Sequence, residues 1–171
     1  MNARWTLLVP LVFAFFTTAN ALAPGSTDLK ADQVNVANWE KAWTNLVNDA
    51  EQSFVPSMPR LAAVEVELVV GNKNGPQDDL TLTVLDNQGN ELVSVTQTVK
   101  TSHCEQTVFL LPEGGIDVKP EESYRIRLKG GIIFGWKYVV GGYPKGQATF
   151  NGKPLLSQAR STFLFRTFGS E

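Results

Sequence analysis

The chain has a single cysteine, Cys104, and a single histidine, His103, among its 171 residues. One thiol cannot close an intramolecular disulfide, so a core must hold the fold. Zinc is equally ill served, because a structural site wants four ligands at characteristic spacing and two are missing. Nor do His103 and Cys104 make a nucleophile pair, since neighbours in extended chain point to opposite faces. Free cysteine is usually buried, and Cys104 is expected to be buried or inert; pairing with another chain is the alternative. Excess positive charge is also lacking, with a formal net charge of -2. Nucleic acid and anionic membrane both call for concentrated Lys and Arg, so neither is an expected partner.

Long apolar runs are almost absent, and the exception stands at the start. Met1 to Arg4 is a short basic lead, Trp5 to Phe16 is nearly all apolar, and small residues follow at Thr17, Thr18, Ala19 and Ala21. This pattern predicts a secretory signal peptide over 1–21. The run is shorter than the roughly 20 apolar residues that span a bilayer, and Pro10 weakens it as a helix. No transmembrane segment is expected in the mature chain. Cleavage can follow Ala21 or Ala23; Pro24 would hinder the second, which favours Ala21. With no cysteine nearby, a lipid anchor has no attachment point there. Losing Arg4 with the leader takes the net charge from -2 to -3. The remaining 22–171, about 150 residues, is the size of one domain, expected to be secreted or periplasmic.

Beyond the leader no long stretch holds a helical period. Short β-branched and aromatic runs recur between clusters of Gly, Pro, Asn and Asp. Leu61 to Val70 alternates, with Ala62, Val64, Val66 and Leu68 on one face. Leu80 to Asp86 and Glu91 to Val99 flank Asn87-Gln88-Gly89-Asn90, where glycine can take a positive φ, and form a predicted hairpin. Further strands are expected at 106–112, 123–130, 132–140, 147–152 and 161–168, with two more near 33–36 and 52–55. Eight or nine strands at this spacing predict an all-β, two-sheet antiparallel sandwich, jelly-roll-like, with a core over about 32–169. The one helical candidate is Ala37 to Glu51, where Trp39, Trp43, Leu46 and Ala50 share a side; the alternative is a loop insertion.

An ordered set of short pieces resembles a known module. It comprises Gln52-Ser53-Phe54-Val55-Pro56, Leu61-x-x-Val64-Glu65-Val66 and Val84-Leu85-Asp86-x-x-Gly89. Tyr124-x-Ile126-x-Leu128 after Pro120, Phe134-Gly135-Trp136-x-Tyr138, Gly146-Gln147-Ala148 and Phe163-x-Phe165-Arg166-Thr167 complete it. Together, over about Asp32 to Gly169, these pieces look like the jelly-roll, carbohydrate-binding-module-like accessory domains of secreted bacterial proteins. The resemblance implies fold and an exported setting; it assigns no activity residue by residue. The Trp39 to Ala50 insertion departs from it.

Candidate sites follow from the aromatic residues. In Ile132 to Val140, Phe134, Trp136 and Tyr138 point one way and Gly135 and Lys137 the other. A lysine is rarely fully buried, so the aromatic row is expected to face the core, with Tyr138 at the strand end and Tyr143 in the glycine-rich loop better placed for exposure. Flat rings of this kind can stack on a sugar while polar groups bond its hydroxyls, which makes Tyr138, Tyr143 and Trp136 tentative ligand-binding residues. Trp39 and Trp43 form a second candidate platform, either as anchors of the insertion or as an exposed patch for a partner. Glu65 and Glu67 share a strand face, as a glycosidase pair or as the solvated side of an ordinary strand. Asp78 and Asp79 offer hard oxygen ligands for a structural calcium ion, in a segment whose composition also suits a plain turn. No cofactor is otherwise expected. The favoured reading is a non-enzymatic recognition module for a polysaccharide or other glycan. The alternatives are a structural or protein-binding component of the cell envelope or extracellular matrix, with an extracellular protein as partner, and a glycoside hydrolase.

Overall fold

The computed structural model describes residues 29–36 and 42–170. The expected leader, and Trp39 within the expected insertion, lie outside the described residues. Fourteen strands follow in order: β1 (Lys30–Asn35), β2 (Trp43–Asn45), β3 (Ala50–Phe54), β4 (Arg60–Val70), β5 (Gln77–Leu85), β6 (Glu91–Lys100) and β7 (Gln106–Leu110). The rest are β8 (Ile116–Asp117), β9 (Tyr124–Lys129), β10 (Phe134–Val140), β11 (Ala148–Phe150), β12 (Lys153–Pro154), β13 (Ser161–Phe163) and β14 (Phe165–Ser170). They build two antiparallel sheets, one of eight strands around β4 and one of six in the order β12-β11-β3-β9-β5-β6. The expected all-β sandwich is the observed one.

Three departures from expectation have physical reasons. The helix expected over 37–51 does not form in its described part: Trp43–Asn45 is a strand on β10, and β3 begins at Ala50. Tertiary pairing overrides a weak helical period there, as it commonly does where Asn and Thr lower helix propensity. The expected strand over 161–168 is two. Ser161–Phe163 pairs with β10 and Phe165–Ser170 pairs with β4. Between them Leu164 donates its N–H to Lys137 and accepts from Glu67, so this segment wedges open the fork between β10 and β4. Strands of two or three residues, such as β8 and β12, are too short for any period to show.

The two sheets close over one apolar interior. Alternation on β4 turns Val64, Val66 and Leu68 inward, where they meet Leu82, Val84, Ile126 and Leu128 of the six-stranded sheet, all fully buried. Aromatic rings fill the middle. Trp136 stacks on Phe163 with centroids 4.2 Å apart, and Phe54 meets both Tyr124 and Phe165. A polar strut also crosses the layer, because buried Gln52 of β3 accepts the Phe163 N–H at 2.7 Å. A buried amide is tolerable when its hydrogen bonds are made, and here it pins one sheet to the other.

Candidate functional site

The row Phe134, Trp136 and Tyr138 faces the core as the alternation with Lys137 predicts. Phe134 and Trp136 are fully buried, and the Trp136 indole N–H is spent on the Leu164 carbonyl at 2.9 Å. Tyr138 is half-buried and packs edge-on against Phe163. Tyr143 does not show the exposure expected of a loop residue. It is 5% exposed. Gly141 and Gly142, at φ 77 and 75, turn the chain so that the ring enters the core against Phe165. Its hydroxyl donates to Gln33 Oε1 at 2.8 Å and accepts the Val55 N–H at 3.1 Å. Burial pushes the phenol above its ordinary pKa, and the hydrogen bond at Val55 offsets this only in part. Trp136 and Tyr143 therefore offer no face to a ligand.

Trp43 behaves differently. β10 lies between β4 and β2, since Gly135 pairs with Val69 on one side and Asn45 on the other. Trp43 is opposite Lys137, so its side chain leaves the sheet on the outer face, above Gly135 and Gly71. A Cβ at Gly135 would lie 2.2 Å from the indole, and one at Gly71 would lie 2.7 Å from it. The ring thus rests on a floor that only glycine supplies, and it remains 40% exposed. Beside it opens a cleft of about 600 Å³, lined by Val69 and Val70, by the Thr101 to Gln106 segment and by Lys137. Ser102, His103, Glu105 and Gln106 are exposed, and the Ser102 hydroxyl and His103 Nδ1 are 2.8 Å apart. A flat apolar face next to donors and acceptors of both signs is what stacking and hydrogen bonding to a polyol require.

The remaining candidates separate. Cys104 is turned inward with its thiol against the Thr101 carbonyl, while His103 is exposed, so the two do not converge. Burial pushes the Cys104 thiol up, away from the reactive thiolate. Glu65 and Glu67 do share the outer face of β4, but each has its own cation: Glu65 bonds Arg166 of β14, and Glu67 lies 3.9 Å from Lys137. Asp78 accepts from the Gly131 N–H at 2.8 Å and Asp79 from the Thr98 hydroxyl at 2.6 Å, so the two carboxylates turn to different neighbours. No group of three His, Cys, Asp or Glu that could hold a metal occurs among the described residues. Among those residues no helix is long and apolar enough to cross a membrane.

The chain matches no protein-family model, and no curated protein matches it either. Sequence reasoning missed Lys137, the Thr101 to Gln106 rim and the two-glycine floor. Gly71, Gly135 and Trp43 lie in three separate runs, and nothing local connects them.

Proposed function

We propose that the protein is a secreted recognition module that binds carbohydrate through the outer face at Trp43, without covalent chemistry. One observation carries this reading: the Trp43 indole sits over Gly71 and Gly135, 40% exposed, on the strand paired with Lys137 of the cleft that Glu105 and Gln106 also line. A tryptophan held in a fixed plane loses little conformational freedom when a sugar ring stacks on it, and neighbouring polar groups then select among hydroxyl patterns. The likeness to carbohydrate-binding-module-like domains and the predicted leader are consistent with this role.

The test is retention by insoluble polysaccharides, or retardation in gels containing soluble ones. The exported protein should begin after Ala21 by mass spectrometry. Trp43→Ala should lose retention by about tenfold, the worth of one stacking contact, while its unfolding midpoint moves little. Equal retention of Trp43→Ala and the parent would end the proposal. Turnover of the polymer, lost in Glu65→Gln or Glu67→Gln, would replace it with the hydrolase reading.

A further inference from the structure

The outermost strand of the six-stranded sheet is unlike the other strands at sheet margins. β6 runs ten residues, and its interior from Leu92 to Val99 contains no charge, no proline and no glycine. Exposed strand edges are templates for pairing, and proteins usually blunt them with short length, charge, proline or a bulge. The other margins among the described residues show such devices. β2 and β13 have three residues, β8 has two, β12 is Lys153–Pro154, β1 is irregular between Ala31 and Val34, and β7 has five residues. β6 has none of these along its middle; its one register shift lies at the turn, opposite Val84 and Leu85.

The ladder shows which groups of β6 are unpaired within its sheet. Thr101 donates its N–H to the Pro76 carbonyl at 2.9 Å, one step beyond the Gln77–Lys100 pair. Bonding residues alternate in an antiparallel ladder, so Val93, Val95, Gln97 and Val99 bond β5. Ser94, Thr96 and Thr98 therefore aim N–H and C=O away from the sheet, at the height where a fifteenth strand would lie. Their hydroxyls stand on the solvent face, already engaged with β5: Thr96 with Thr81 at 2.8 Å and Ser94 with Thr83 at 3.0 Å.

We propose that this edge is the site of self-association, a second copy of the chain pairing antiparallel, β6 to β6, with the two-fold axis at Val95. Three features select a second copy. The two ends of β6 carry opposite charges, Glu91 and Lys100, so antiparallel self-pairing sets each acid end beside a basic end, whereas a parallel pair would set like beside like. The middle is nearly symmetric about Val95, with Val93 and Gln97, then Ser94 and Thr96, brought opposite one another, so the Ser/Thr row extends across the junction. A groove of about 310 Å³ between Gln97–Lys100 and Gln106–Val108 leaves space beside the C-terminal half of the strand. The combined sheet would have twelve strands and would leave the Trp43 face of each copy open, since that face belongs to the other sheet.

Sedimentation velocity on the mature chain over about a hundredfold range of concentration tests this, because a self-associating edge follows mass action. The parent should shift from monomer to dimer. Thr96→Pro removes an N–H that no intramolecular ladder bond uses, so it should spare the sheet and abolish the dimer. Thr96→Lys, which sets two ammonium groups close across the axis, should weaken the dimer at least several-fold and serves if the proline variant fails to fold. A parent that stays monomeric throughout, or a dimer indifferent to whichever of these variants folds, would overturn the proposal.

Discussion

Tyr143 and Trp43 both sit against glycines, and they end in opposite places. At Tyr143 the glycines precede the ring in sequence: Gly141 and Gly142 take left-handed φ and swing the side chain into the core. At Trp43 the glycines belong to other parts of the chain, Gly71 just past β4 and Gly135 on β10, and they form a seat that holds the ring outside. The same residue type thus does two jobs. Before an aromatic it bends the chain; beneath one it clears space. Only the second kind presents a stacking face, and it arises only when distant strands have paired.

The sharpest way to break this comparison is to truncate both rings. Tyr143→Ala empties a core position and orphans Gln33 Oε1 and the Val55 N–H, so urea unfolding should show a loss of about 3–5 kcal/mol, typical of removing a buried aromatic. Trp43→Ala should cost about 1 kcal/mol or less, because the ring is already partly in water. Retention by polysaccharide should follow the opposite order. Similar stability losses at the two positions would mean that Trp43 is a core residue after all.

How much of this was legible beforehand divides along the same line. Local rules worked where the cause is local. Lys137 told that Phe134 and Trp136 face inward, and Gly89, at φ 94, turns the Asp86 to Asn90 hairpin as read. Alternation in Leu61 to Val70 gave the inner face of β4 at Val64, Val66 and Leu68, but an irregularity against β14 at Ala62 turns Leu61, not Ala62, into the core. The failures need long-range partners. Tyr143 looked like an exposed loop residue because no local signal marks Gln33 and Val55 as its partners. The Trp43 strand is three residues long and exists only because β10 offers an edge. Leu164 breaks a continuous apolar run, and the reason is that β10 and β4 both need it.

Adding one methyl group at each glycine sharpens the contrast at intermediate size. Gly142→Ala forces an alanine to φ 75 with its Cβ 2.5 Å from Thr162 Oγ1, so a loss of about 1–3 kcal/mol is expected in thermal or urea unfolding. Gly71→Ala has no backbone strain, and the nearest atoms to its Cβ are those of the Trp43 ring. The ring should tilt off its seat, with retention on polysaccharide reduced several-fold and the unfolding midpoint almost unmoved. Unchanged retention would show that the seat does not matter for binding.

The smallest expected effect is in alkaline stability, and it should track one ring only. Tyr143 holds its proton more tightly folded than unfolded, because burial penalises the phenolate. A folded value above the unfolded one means that the group's contribution is complete below the ordinary tyrosine value of about 10 and is lost as pH rises through the folded value. Cys104, raised by burial as well, adds a loss of the same sign that begins nearer the ordinary thiol value of about 8.5. Unfolding free energy measured across this window should fall with pH in the parent and in Trp43→Ala alike. In Cys104→Ala the early part of the fall should flatten, and in Tyr143→Phe the later part, although Tyr143→Phe starts lower because Gln33 and Val55 lose their partner. If Tyr143→Phe kept the full alkaline slope, the buried phenol would not be its source, and the polar core joining β1 to the end of β3 would have to be reconsidered; a slope that vanished in Trp43→Ala would instead tie the outer ring to the folded interior, where its exposure says it does not belong.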